Sequence, residues 1–299
     1  MDEQCLLQSS IEYRDLNIEP GNLPEHDGEA LGQAQTGASI LPAALLIAGI
    51  MAAVALSEYI FAYRNVGYGI LIALVLATLL YVFLALRPAQ DTLNACISSL
   101  VLVPMYILFT SSLPWFFILQ GYLLPAVYSC IIFLCLWHIY QKNLSLGRLF
   151  GSFPSGGRLV RYLFLGTGLG VCTGLCEYLI LRPAPSYPNF SVGQLLLNLI
   201  YMIAFVALGE ELLFRALIQN DLSRLFGGRW GLVSASILFS IMHLTWRSVP
   251  ELFFVFIAGL LFGWLYVRSK GLYLPMLVHG INNVVLMAVY PYLIHWKPF

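Results

Sequence analysis

The sequence predicts an all-α, polytopic transmembrane bundle of eight or nine spans, and three observations predict it. Of the 299 residues, 60% are hydrophobic and only 10% are charged, with a mean hydropathy of +0.81, outside the range of a water-soluble domain. Apolar runs recur at about 20 residues, the length at which a helix crosses a hydrocarbon core of about 30 Å. The ionisable groups inside those runs are few, and such groups at membrane depth are costly unless they pair or face a polar cavity.

The first 38 residues form a tail apart from the spans. Eight of the fifteen acidic residues fall in the first 29 positions, opposed only by Arg14. With little apolar periodicity this segment cannot bury enough surface to fold alone, so an acidic, disordered tail is expected over 1–38. A basic start followed promptly by an apolar run is lacking, so no cleaved signal peptide is expected. Spans follow near 40–62, 67–86, 93–111, 116–139, 161–181, 193–218, 230–246, 251–268 and 272–295. That makes nine, or eight if the third and fourth, divided only by Ser111-Ser112-Leu113-Pro114, are one. The chain thus divides into the tail, N-terminal helices over 39–192 and a C-terminal helical core over 193–299.

Lys and Arg concentrate in loops 140–160 (Lys142, Arg148, Arg158), 219–229 (Arg224, Arg229) and 268–271 (Arg268, Lys270), whereas Arg64, Arg182, Arg247 and Lys297 stand singly. The positive-inside rule puts the richer loops and the N-terminus in the cytoplasm, and nine spans then leave the C-terminus outside. The cysteines lie mostly within spans with no C-x-x-C spacing and read as packing residues. Gly166, Gly168, Gly170 and Gly174 follow no strand, so they read as a close helix contact rather than a phosphate loop.

Three segments carry polar chemistry at membrane depth. In Gly209-Glu210-Glu211-Leu212-Leu213-Phe214-Arg215, Glu211 and Arg215 are four apart and can pair on one face, while Glu210 is rotated about 100° away. Glu210 is therefore the less compensated carboxylate, suited to take a proton from water. The next span carries Phe239 and His243, and the last carries His279 and Asn283, also four apart on one face. An imidazole and a carboxamide directed together can hold a developing oxyanion. At 1.5 Å per residue the three clusters reach similar depth. Read singly, each has a packing alternative: a buried ion pair fixing helix register, a hydrogen-bonded core histidine, or interhelical glue. Glu58 and Glu177, alone in their spans, read as structural or interfacial.

The motifs E-E-x-x-x-R (Glu210, Glu211, Arg215), F-x-x-x-H (Phe239, His243) and H-x-x-x-N (His279, Asn283), in that order, resemble those of the CAAX prenyl protease and bacteriocin-processing family, also called the Abi or CPBP family. The resemblance covers about residues 193–295. It implies an intramembrane endopeptidase, a multi-pass protein of the cell membrane or, in a eukaryote, of the endoplasmic reticulum, reached from the cytosolic side. It further implies that Glu210 and His243 activate water, that Glu211 supports them while held by Arg215, that His279 and Asn283 stabilise the oxyanion, and that Phe239 is structural. Its partners would be lipid and a peptide or protein substrate, prenylated or not, with no nucleic acid. No cofactor is favoured, because no H-E-x-x-H is present and Asn283 suits an oxyanion role. Zinc held by Glu210, His243 and His279 is the alternative. A second class of function uses the same groups without catalysis, as a membrane scaffold, immunity protein or proton-coupled carrier. No second Glu-Glu motif occurs in the N-terminal half, so the inverted repeat that would favour a carrier is lacking.

Overall fold

The computed structural model describes residues 40–87, 91–111, 120–185 and 189–294, with the side chains of 120–122 excepted. The acidic tail expected over 1–38 lies outside them. The order is α1 (Ile40–Tyr63), α2 (Val66–Leu86), α3 (Thr92–Leu100), α4 (Leu102–Thr110), α5 (Gln120–Gln141), α6 (Leu146–Phe150), α7 (Gly156–Leu181), α8 (Val192–Tyr201), α9 (Leu208–Glu211), α10 (Asn220–Phe226), α11 (Gly228–Ile241), α12 (Val249–Ser269), α13 (Tyr273–Ala288) and α14 (Tyr290–Leu293). The described residues contain no strand, and eight helices are long and apolar enough to cross a membrane. Large apolar side chains such as Leu71, Phe133, Phe164 and Phe253 remain exposed, which suits contact with lipid. The protein is an all-α, multi-pass membrane bundle.

Helices begin where the sequence supplies a cap. Asn65 accepts the Tyr68 amide at 3.0 Å to start α2, and Asp91 accepts that of Asn94 at 2.8 Å to start α3. Gly227, at a φ of +87°, makes the turn from α10 to α11 in a backbone conformation that side-chain-bearing residues rarely adopt.

The count of eight does not come from joining the third and fourth spans, which stay separate as Thr92–Thr110 and Leu123–Gln141. It comes from 230–246. There the helical part, α11, has 14 residues and rises about 21 Å, short of the hydrocarbon core, so the passage back from the 219–229 turn is completed by the turn that follows α11. The helix stops because the next residues favour other shapes. His243 sits at φ −101°, ψ 8°, a 3₁₀ turn covers Leu244–Trp246, and Arg247 is left-handed at φ 54°. Ser248 and Pro250 then start α12, the Ser248 hydroxyl accepting the Glu251 amide at 3.3 Å.

The long helix Val192–Phe226 runs through α8, α9 and α10, joined by two π-helical stretches, Met202–Ala207 and Leu212–Gln219. Such wide turns frequently mark functional sites, and Glu210 and Glu211 lie between these two. Of the α7 glycines expected at a helix contact, Gly166, Gly170 and Gly174 are contact residues, whereas Gly168 is exposed and a Cβ there would meet nothing within 4 Å. A Cβ on Gly170 would meet the Val278 carbonyl at 2.7 Å, and one on Gly174 the Asn282 carbonyl at 2.8 Å, so α7 and α13 approach backbone to backbone only because both positions are glycine. At one end of these helices the Leu272 amide donates to the Phe150 carbonyl at 3.1 Å, which brings the basic turns at 142–151 and 268–272 together.

Candidate active site

Glu210 and Glu211 are buried, as their place in a packed helix between two wide turns requires. They face different partners. Glu210 Oε1 accepts the hydroxyls of Tyr106 at 2.7 Å and Tyr128 at 2.6 Å, contributed by α4 and α5. Its Oε2 lies 3.7 Å from His279 Nε2. Glu211 Oε1 accepts the His279 Nδ1 proton at 2.9 Å, and its Oε2 lies 3.2 Å from Arg215 Nε. One imidazole thus bridges both carboxylates.

Arg215 is fully buried and its nitrogens make no hydrogen bond among the described residues. Its charge is met by Glu211 and by aromatic faces, the guanidinium carbon lying 4.3 Å from the Phe239 ring centre and 5.8 Å from that of Phe262. Phe262 also stacks on His279 at 5.0 Å, with Phe239 edge-on to it at 5.8 Å. The Phe239 carbonyl accepts from His243 Nδ1 at 2.9 Å, which fixes the proton there and leaves Nε2 as the imidazole's open nitrogen.

A cavity of about 280 Å³ opens against this cluster. Glu210 and His243 both line it, beside Tyr106, Tyr128 and Trp246. Its wall comes from the C-terminal ends of α1 and α4, the first half of α5 and the turn after α11. These are the helix ends opposite the basic turns.

The structure therefore gathers Glu210, Glu211, Arg215, Phe239, His243 and His279 from three separate motifs. Asn283 is not in the cavity wall; its carboxamide oxygen accepts from Asn282 at 3.4 Å, while Asn282 also donates to Glu177. Zinc would need Glu210, His243 and His279 to converge as donors. Among the described residues no three His, Cys, Asp or Glu side chains do so. Sequence reasoning passed over Tyr106, Tyr128 and the place of Glu58 in the cavity wall. A tyrosine within an apolar span, whose hydroxyl needs a partner once buried, was the available signal.

Comparison with known proteins finds similarity over the motif-bearing segment. Residues 192–285 match the family model described as type II CAAX prenyl endopeptidase, Rce1-like. The CAAX protease resemblance holds over the segment that carries all three motifs. An uncharacterized protein of Bacillus subtilis, YpbD, is 26% identical over 137 residues, which are 43% of this chain and 68% of that protein. An uncharacterized 24.3 kDa protein of Escherichia coli is 33% identical over 95 residues, 31% of this chain and 44% of that protein. No solved structure matches. Tyr106, Tyr128 and Glu58 all lie outside the CAAX endopeptidase match, so part of the cavity is supplied by helices the family model does not describe.

Proposed function

We propose that this chain is an intramembrane endopeptidase that hydrolyses a peptide bond with water activated by Glu210 and His243. The observation that carries the reading is that these two groups share one cavity wall while both carboxylates are tied to His279. Two tyrosine hydroxyls anchor one Glu210 oxygen, which leaves the other for the reacting proton. Glu210 takes a proton from water as the oxygen attacks the scissile carbonyl, and that proton passes to the leaving amine. His279, oriented by Glu211 and with its Nε2 beside the free Glu210 oxygen, stabilises the oxyanion, while Arg215 holds Glu211; Asn283, bonded to Asn282 and outside the cavity wall, is assigned no step.

The test is hydrolysis by purified protein of peptides with and without a prenylated cysteine. Cleavage at a defined bond is expected, and its dependence on the lipid names the substrate class. Uncleaved peptides throughout would return the protein to the scaffold or carrier class. In the same assay Asn283→Ala, which removes a carboxamide outside the cavity wall, leaves turnover within about tenfold of wild type. Chelators have little effect. One zinc per chain together with reversible chelator inactivation would replace the glutamate mechanism by a metal one and leave the proteolytic assignment standing.

Sidedness belongs to the same proposal. The positive-inside rule assigns the end bearing Arg148, Arg224 and Lys270 to the cytoplasm. The cavity lies at the opposite helix ends, so we assign substrate entry to the non-cytoplasmic side, the reverse of what the resemblance implies. In a chain whose native cysteines are replaced, Thr245→Cys should react with a membrane-impermeant maleimide in intact cells, and Lys270→Cys only after lysis. The reverse pattern overturns this orientation.

A further inference from the structure

One carboxylate in the cavity has no task in the mechanism above. Glu58 on α1 is 4% exposed, and its Oε2 has no hydrogen-bond partner among the described residues. It lines the cavity together with Phe61, Tyr106, Tyr128 and Trp246. The described wall holds two carboxylates and one imidazole but no lysine or arginine. Arg215 stands behind Glu210, spent on Glu211 and the phenylalanines. Arg247, at the turn after α11, lies over the Tyr63 ring at 6.0 Å and is not part of the wall. A carboxylate kept from water without a cation is costly, and these aromatic faces attract positive charge. Carboxylate and aromatic rings on one wall are the recognition chemistry of an organic cation.

We propose that Glu58 is a specificity-determining residue that receives a cationic group of the peptide substrate, which rests on the peptidase reading of the cavity. The group is an ammonium or guanidinium, from a lysine or arginine side chain near the scissile bond or from a free N-terminus. It seats on the Glu58 carboxylate beside the rings and so presents the neighbouring carbonyl to Glu210 and His243. A neutral prenylated chain offers nothing to this carboxylate.

The test compares peptides that differ at one position, lysine against norleucine, each with a free or an acetylated N-terminus. Wild-type protein should prefer the cationic member by about tenfold or more in kcat/KM, a usual size for one charge-assisted contact. The pair that shows the preference identifies the source of the charge. In Glu58→Gln that ratio falls to near one, and in Glu58→Asp, which keeps the charge, part of it returns. Equilibrium binding of the same labelled peptides is measured in parallel. Cleavage without any cationic preference in wild-type protein overturns the subsite and leaves the peptidase standing. Glu58-dependent binding of cationic peptides without cleavage does the opposite. Should Glu58→Gln not fold, the wild-type lysine-to-norleucine ratio alone still decides: a ratio near one for both pairs overturns the proposal.

Discussion

Glu210→Gln is expected to lose at least about 10²-fold in peptide hydrolysis while keeping its fold and its stability in detergent. Loss of a general base usually costs that much. Stability should hold because the amide is isosteric and its oxygen can still accept from Tyr106 and Tyr128. The neighbouring imidazole, His279, keeps its 2.9 Å bond to Glu211. Turnover and thermal melting measured on one preparation check both halves. Turnover above roughly a tenth of wild type removes Glu210 as the base.

Arg215→Ala should instead fail in stability, by about 3–5 kcal/mol, with activity lost as a consequence. The substitution leaves Glu211 fully buried without its cation, and breaking one side of a buried pair costs about that amount. It also empties the space between Phe214, Phe239 and Phe262, whose rings the guanidinium contacts. A lower melting temperature or poor expression is the readout. A variant as stable as wild type but inactive would assign the arginine to substrate contact instead.

Glu210, Glu211, Arg215, His243 and His279 stand out because an ionisable side chain in an apolar run demands an explanation, and helical spacing pairs them correctly. Helical spacing also paired His279 with Asn283, yet Asn283 bonds Asn282 beside it, and Asn282 reaches Glu177 on α7. That contact depends on how closely the α7 glycines let α13 approach, which no single-helix arithmetic contains. Tyr106 and Tyr128 were hidden for a related reason. In an apolar span a tyrosine reads as ordinary packing, and only the tertiary meeting of α4, α5 and α9 turns two hydroxyls toward one carboxylate. The early end of α11 was hidden because the apolar run continues past Ile241, so hydropathy passes over the turn that delivers His243 to the cavity.

The α7 glycines have one more consequence, for the independence of the motif-bearing segment. Helix α13, which carries His279, leans on Gly170 and Gly174 of α7, and Glu210 takes its hydrogen bonds from α4 and α5. All of these supports precede residue 192, where the matched segment begins. Transplanted behind a different set of leading helices, the three motifs would arrive without the surface that seats α13 and without the donors that aim Glu210. The three-motif pattern is therefore portable as letters but not as a module: in this chain its geometry rests on helices that precede it.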